Sequence, residues 1–537
     1  MSAFGGKADT DQPLPMFDLD VLKSCADIIR HQAKSRPDGI AHIFEDRTTT
    51  FGQLDARASQ IANGVIALGI KPQSRVGYIG LNSDRFFEVV YGCFKANAVL
   101  VGVNWRFAPP EVVYVLNDAE AEILFVGAEY TGLVDKIRDE LKTVRHYIAI
   151  DASHEDWPVF DAWRDGQSAA DPHVAVAPDD DVIQLYTSGT TGHPKGVQLT
   201  NANYLTFMDS AARAGWANYD PGDTNLLAMP NFHVAGLNMG VLTTGAGATG
   251  IIMKQVEPGK VVDFVEQYQI KNMFLVPAVI QFVIALPGIE QRNLTSLQRV
   301  FYGASAISDQ VLLRAKDVLG ADFTQLYGLT ETVGGGTYLP AEMHDPAKGK
   351  LRSCGRPYPG YEIKVVDGEG NTVPTGSVGE ILIRSGTIMK GYWKRPDATS
   401  KSVVDGWFYS GDAGYFDEDG YLYIHDRVKD MIVSGGENVY PAEVENALMS
   451  HPGVADAAVI GVPDEKWGEA VKGIVVLKPD SEATAEDIIA FCRTRIAGYK
   501  TPKSIDFVQA LPRNPSGKIL RRELREPYWA GRERRVN

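Results

Sequence analysis

A buried strand that empties into a loop of small donors is the strongest constraint in this chain. Val182, Ile183, Leu185 and Tyr186 make an apolar run, and Thr187-Ser188-Gly189-Thr190-Thr191-Gly192-His193-Pro194-Lys195-Gly196 follows directly. Those ten residues hold four hydroxyls, three glycines and one lysine. Glycines let a backbone approach a ligand closely, and successive N–H groups in such a turn form an anion-binding concavity. The hydroxyls and Lys195 add donors of matching charge, so the ligand that fits is a polyphosphate. A Walker loop requires G-x-x-x-x-G-K-[ST]. Here Pro194 stands between the glycine region and Lys195, and Gly196 follows it, so the loop is not that of a P-loop kinase.

The rest of the chain alternates strand and helix patterns. Residues 75–79 and 99–103 read as short strands around a helix over 84–96, and 18–33 as an amphipathic helix carrying Leu22, Cys25, Ile28 and Ile29. Residues 225–228, 249–253, 273–276 and 299–302 read as further buried strands between helices. Such alternation predicts parallel sheets with crossover helices, whose ligands gather at the strand C-termini. From about residue 350 the texture changes to short strands and turn residues, over 361–367 and 379–384, and predicts a β-rich lobe. Another alternating unit starts near residue 428, with strands at 457–462 and 470–477 and a helix at 485–496. The expected architecture is α/β. Residues 1–17 form a loose tail and 18–427 a large N-terminal domain of two parallel-type sheets with helices, whose β-rich lobe spans about 350–427. Residues 428–537 form a small α+β C-terminal domain.

With 537 residues and a net charge of −15, the chain exceeds one core and is a poor partner for nucleic acid, which selects basic surfaces. Any anionic substrate must be held by local cations. The four cysteines are far apart and form no C-x-x-C, which suits a reducing cytosol and excludes a cysteine metal site of the usual spacing. Residues 234–253 carry no charge, long enough to span a bilayer. They contain Asn238, three threonines and five glycines, and read instead as a buried helix turning into a strand. That leaves only peripheral membrane contact open.

Seven further clusters carry chemistry. Tyr302-Gly303-Ala304-Ser305 ends a buried strand in small residues, leaving room for a flat base or an acyl group. Gln325-Leu326-Tyr327-Gly328-Leu329-Thr330-Glu331-Thr332 offers an aromatic face, a hydroxyl and one carboxylate. A lone acid facing a polyphosphate is unfavourable without a hard cation between them, so Glu331 suggests Mg²⁺. Asp412 in Ser410-Gly411-Asp412 is suited to accepting both ribose hydroxyls. Asp426-Arg427-Val428-Lys429-Asp430 sets charges against an apolar run. Ser434-Gly435-Gly436-Glu437 is a second glycine turn, and Asn514-Pro515-Ser516-Gly517-Lys518 presents one lysine on a rigid turn before a basic helix over 519–525. His233, in Asn231-Phe232-His233, stands at the mouth of the uncharged helix, where it can cap the helix or position a carboxylate.

Taken in order, these clusters resemble the AMP-forming acyl-CoA synthetases, the superfamily shared with firefly luciferase and peptide-synthetase adenylation domains. The likeness runs from about residue 20 to 526, and is most specific at 187–196, 327–331 and 514–518. It implies ATP, Mg²⁺ and CoA as participants. It also implies that Thr187, Ser188, Gly189, Thr190, Thr191 and Lys195 embrace the β- and γ-phosphates. Gly303, Ala304, Ser305, Gln325, Leu326, Tyr327 and Gly328 would frame adenine, with Thr330 on the α-phosphate and Glu331 on the metal. Asp412 and Arg427 would hold the ribose. Lys518 would bridge the attacking carboxylate and the α-phosphate, and Lys429 would be the hinge of a mobile C-terminal domain. Ser434, Gly435, Gly436 and Glu437 would line the pantetheine channel. Relatives are often dimers, and Pro512 gives Lys518 a context resembling that in which a lysine acetyltransferase inactivates relatives.

The implied acyl pocket comprises His233, Val234, Gly236, Leu237, Val276, Pro277, Tyr302, Gly303, Val333, Gly334 and Gly335. It has no Arg or Lys for a second carboxylate, so a monocarboxylic acid is expected, and Gly334 to Gly336 suggest room for a tail. The segments 229–239 and 326–341 look most like bacterial medium- or long-chain fatty-acid–CoA ligases, with cinnamate- or benzoate-type aryl ligases as the runner-up. An amino-acid-activating domain is a poorer match, because His233 stands where such a domain has Asp and only nineteen residues follow Lys518. A luciferase-like enzyme shares every motif.

Overall fold

The computed structural model describes residues 21–187, 194–305, 307–427, 430–434, 437–464, 467–513 and 519–530, without the side chains of residues 425–427, 433, 437 and 438. Four sheets organise it. A seven-stranded sheet runs in the order Gly391–Tyr392, Lys195–Thr200, Asp181–Thr187, Val99–Val103, Arg75–Ile79, Ala121–Gly127, His146–Ile150. The four pairings among the five strands from Asp181–Thr187 onward are parallel, and the two strands on the other side are antiparallel additions. A nine-stranded sheet holds Asp322–Gly328, Arg299–Gly303, Asn272–Leu275, Thr224–Leu227 and Thr249–Ile252 as parallel neighbours. Antiparallel strands extend both of its edges.

Two helices fill the centre of the main core. Asp84–Lys95 is buried along its whole length, and Val234–Gly245 over all but its first two residues. They interlock at Gly240, where a Cβ would lie 2.2 Å from the Phe87 ring, so only glycine permits the approach. The membrane-length stretch is therefore a core helix followed by the Thr249–Ile252 strand. No helix among the described residues is long and apolar enough to cross a membrane.

The Asp84–Lys95 helix keeps its charges in the core by pairing them. Glu88 accepts from Arg85, Arg164 and Arg57 at 2.8, 2.8 and 3.2 Å, and fully buried Lys95 donates to Asp55 and Ser59. Buried charges are tolerable only when paired in this way.

A five-stranded antiparallel sheet follows, built of Glu362–Val366, Gly379–Arg384, Trp407–Phe416, Val403–Val404 and Leu422–Arg427. Beyond it, Glu437–Val439, Ile432–Ser434, Gly468–Leu477, Val454–Asp464 and Ser504–Phe507 make another sheet. That sheet packs its own cluster of Val444, Leu448, Val459, Val471 and Ile488.

Several strand expectations coincide with the elements found, among them Arg75–Ile79, Val99–Val103 and Gly379–Arg384. The first helix differs. It begins at Ala26, because Asp27 accepts hydrogen bonds from the Lys23 and Ser24 amides and ties the preceding turn. The last helix covers Arg521–Trp529 and not 519–525, since Ile519 is engaged in a bridge with Arg513.

Candidate active site

The candidate site collects at the C-terminal ends of parallel strands, where open α/β sheets bind ligands. Asp181–Thr187 delivers the donor-rich loop, and Lys195–Thr200 returns from it with Lys195 in register opposite Thr187. Ser188, Gly189, Thr190 and Thr191 lie outside the described residues. Their stem is tightly fixed. A Cβ on Gly196 would stand 2.6 Å from Gln184 Nε2, and Tyr114 donates from its hydroxyl to the Pro194 carbonyl at 3.1 Å. The Trp393 amide donates a hydrogen bond to the Gly196 carbonyl at 2.8 Å.

The Arg299–Gly303 and Asp322–Gly328 strands end side by side, with Tyr302 paired to Gln325 and Gly303 to Leu326. A Cβ on Gly303 would come 2.2 Å from the Leu326 carbonyl oxygen, and Ala304 adopts φ of 66°. The backbone thus turns sharply at a shelf of small residues, ending in Ser305. Tyr302 itself faces inward. Buried His344 sits with Nδ1 3.0 Å from the Pro340 carbonyl and Nε2 3.0 Å from the Tyr302 hydroxyl. The ring therefore carries its proton on Nδ1 and accepts from Tyr302. Burial lowers His344 to about 4, which keeps it a neutral acceptor.

After Gly328 the chain makes a short 3₁₀ turn, Thr330–Thr332, that presents Thr330 and Glu331. Thr332 is fully buried and braces the turn through its hydroxyl, 2.5 Å from the Gly335 carbonyl. Tyr392 donates its hydroxyl to Glu331 Oε1 at 2.8 Å, while Lys195 Nζ lies 4.9 Å from the centroid of the same ring. Tyr327 donates to Asp412 Oδ2 at 2.8 Å. Asp412 stands in register with Arg427, and Ser410 Oγ accepts from its amide at 3.0 Å. Glu380 accepts from the neighbouring Gly411 amide. Burial first, and the charge of Asp412 also, raise the Glu380 carboxyl above the ordinary range.

His233 precedes the Val234–Gly245 helix and makes no side-chain cap bond. Burial, aided by the Arg106 charge, lowers it to about 4, so its imidazole is neutral at physiological pH. A cleft with about 320 Å³ of free volume, open solvent included, joins His233, Val234 and Thr330 to Gly102, Asn104 and Phe107. The cleft thus has the 3₁₀ turn on one side and the imidazole on the other.

Sequence profiles of two families match this chain: AMP-binding enzyme over residues 29–393, and AMP-binding enzyme C-terminal domain over residues 443–518. The chain belongs to the AMP-binding enzymes. It is similar to the fatty acid–[acyl-carrier-protein] ligase ScoC of Streptomyces coeruleorubidus, 40% identical over 96% of this chain and 98% of that one. It is also similar to the long-chain-fatty-acid–CoA ligase FadD13 of Mycobacterium tuberculosis, 38% identical over 95% and 99%. Among solved structures, the anthranilate–CoA ligase AuaEII in complex with anthranoyl-AMP superposes with a TM-score of 0.87 at 29% identity, covering 96% of this chain and 98% of that one. The chain is accordingly an AMP-forming acid–thiol ligase with an adenylate-forming fold.

In this AMP-binding enzyme the structure brings together Thr187, Lys195, Gly303, Ala304, Gln325, Tyr327, Thr330, Glu331, Asp412 and His233. Lys518, Lys429, Gly435 and Gly436 lie outside the described residues, as do the side chains of Arg427 and Glu437. Ser434 is described, and pairs with Gly468.

The three consecutive glycines need a correction. A Cβ on Gly335 would meet the Tyr361 hydroxyl at 2.1 Å, and one on Gly334 would meet Asn238 Nδ2 at 3.1 Å. On Gly336 it would meet the Tyr327 carbonyl oxygen at 2.8 Å. These glycines provide close contact, not vacant room. Gly236 is similar, with the Pro230 carbonyl oxygen 2.3 Å from its Cβ position.

Sequence reasoning missed Tyr392, Glu380 and the 102–107 loop. The loop had a usable signal, an apolar strand ending in Asn104-Trp105-Arg106, the same strand-to-polar-turn pattern as the other site loops. Tyr392 had none, because its strand is two residues long.

Proposed function

We propose that this ligase adenylates a monocarboxylic acid, a medium- or long-chain fatty acid, and transfers the acyl group to CoA with release of AMP. The observation that carries the substrate reading is the wall at His233. The helix that starts there has no charged residue along Val234–Gly245, and the cleft beside it is lined by Leu185, Phe232 and Val234. The helix wall itself carries no group to pair a second carboxylate, and the nearby cation is Arg106, whose charge reaches His233 from the facing loop.

Oxide is too poor a leaving group for a thiol to displace, and joining the carboxylate to AMP replaces it with a phosphate monoester. The obstacle is an anion attacking a polyanion. Two unit charges about 4 Å apart repel by about 4 kcal/mol at an effective dielectric near 20. Lys195 sits at the stem of the phosphate loop, and Lys518 supplies, by family likeness, the second cation. Glu331 suits Mg²⁺, since among the described residues no cation forms an ion pair with it. Bound there with ATP, Mg²⁺ would neutralise phosphate charge. Asp412, oriented by Tyr327, accepts from the ribose hydroxyls. Neutral His233 hydrogen-bonds the acyl carboxylate without adding charge. The turn at Ser434 then serves the thiol half-reaction after movement about Lys429. Acetylation of Lys518 would erase its cation.

An aryl acid is the second reading. The filled space behind Gly335 favours a flat, short acyl group, as does the likeness to an anthranilate–CoA ligase. ATP–pyrophosphate exchange across octanoate, palmitate, benzoate, ferulate and malonate, followed by thioester formation with CoA, separates the two. Exchange with octanoate or palmitate supports the fatty-acid reading. Exchange confined to benzoate or ferulate replaces it with the aryl one, and exchange with malonate overturns the argument from the uncharged wall.

A further inference from the structure

The Gly391–Tyr392 strand touches both halves of the nucleotide site. It pairs antiparallel with the strand leaving the phosphate loop, Tyr392 against Val197 and Gly391 against Gln198. Just before it, the Met389 amide donates to the Glu331 carbonyl at 2.8 Å. Tyr392 is nearly buried and its backbone is pinned by Thr399, whose hydroxyl accepts from the Tyr392 amide at 2.9 Å. Its side chain then does two things at once. The hydroxyl donates to Glu331 Oε1 at 2.8 Å, and the ring stands 4.9 Å from Lys195 Nζ. Among the described residues neither Glu331 nor Lys195 forms an ion pair, although one is an anion and the other a cation reaching the same ring.

We propose that Tyr392 is a positioning residue for the metal–nucleotide, holding Glu331 and Lys195 apart as a preset pair. Its hydroxyl fixes one carboxylate oxygen and leaves the other to face a divalent cation. Its π face gives the ammonium a resting place that is not the carboxylate. Without the ring the two charges would pair with each other, and the metal–nucleotide would have to break that pair to bind. The proposal rests on the assignment of Glu331 to the metal, and concerns only the steps in which β- and γ-phosphates are present.

The test is a titration of Mn²⁺ with ATP on the full chain, read from the EPR signal of free Mn²⁺, for the parent protein, Tyr392→Phe and Tyr392→Leu. AMP binding in metal-free buffer is measured alongside. A hydrogen bond to a charged group is at stake, so Tyr392→Phe is expected to weaken Mn·ATP binding about tenfold. Tyr392→Leu, which also loses the π face, should weaken it further. AMP affinity, and conversion of supplied acyl-AMP and CoA to thioester, should stay within about twofold of the parent, which a general loss of structure would not allow. Unchanged Mn·ATP binding in Tyr392→Phe overturns the proposal, and so does an equal loss of AMP binding. The titration uses no acid substrate, so a failure of the fatty-acid reading leaves this result intact.

Discussion

Tyr327 and Asp412 are 85 residues apart in sequence, yet the phenol of one donates to the carboxylate of the other at 2.8 Å. The bond ties the strand proposed to frame adenine to the β-rich lobe that carries the proposed ribose acceptor. It holds Asp412 by one oxygen, and a carboxylate so held has less rotational freedom to lose when ribose arrives. Tyr327→Phe should therefore raise the KM for ATP by about three- to tenfold with a smaller effect on kcat. Steady-state kinetics at saturating acid and CoA provide the check, and a wild-type KM would dismiss the role.

Lys518→Ala is expected to reduce ATP–pyrophosphate exchange by about a hundredfold or more, as befits a preorganised charge on the reacting atoms. The same variant should still turn supplied acyl-AMP and CoA into thioester. Equal loss of both steps would remove Lys518 from the adenylation chemistry.

Lys429→Pro fixes φ at the proposed hinge. Pyrophosphate exchange should survive while thioester formation from acyl-AMP falls at least about tenfold. An unaffected overall rate would place the hinge elsewhere.

Glu88 gathers three arginines in the core. Its removal in Glu88→Ala strands buried guanidinium charge and should cost about 3 kcal/mol, seen as a lower urea midpoint. The KM for ATP of the folded protein should not move, since Glu88's partners Arg57, Arg85 and Arg164 are not among the proposed nucleotide residues. A midpoint equal to the parent's would mean that Asp84, Asp161 and Asp165 suffice as partners.

Acid should destabilise the fold earlier than carboxylate titration alone. Burial holds His42, His233 and His344 at about 4, against an ordinary value of 6.5. Between those values the unfolded chain binds protons that the folded chain does not. Stability therefore falls as pH drops below about 6.5, and this contribution is fully lost below about 4. Each histidine contributes up to about 1.4 kcal/mol per pH unit in that window. Unfolding at pH 5 should take up about two to three protons through these residues. Urea midpoints that do not change between pH 7 and 5 would contradict the burial of these rings.

The parallel core was legible because its strands are apolar runs bounded by turn residues. Arg75–Ile79 and Val99–Val103 needed no tertiary information to delimit. The site loops were legible for a related reason: Thr187, Gly303 and Thr330 each follow such a strand and change abruptly to small or polar residues. What escaped was whatever depends on a neighbour distant in sequence. Gly335 reads as vacant space until Tyr361 and Phe207 are seen against it. Tyr392 sits in a segment too short to show periodicity, and its meaning comes only from Glu331 and Lys195 arriving from elsewhere. Tyr302 reads as a pocket residue, but the partner that turns it inward, His344, lies 42 positions away.

The late strand Gly391–Tyr392 also has a consequence for biosynthesis. It covers the outer edge of Lys195–Thr200, so a nascent chain has that edge open for nearly two hundred further residues of synthesis. An uncovered strand edge is a template for pairing with other chains. The edge beside Lys195 is thus completed late in synthesis, only after residue 392 has emerged.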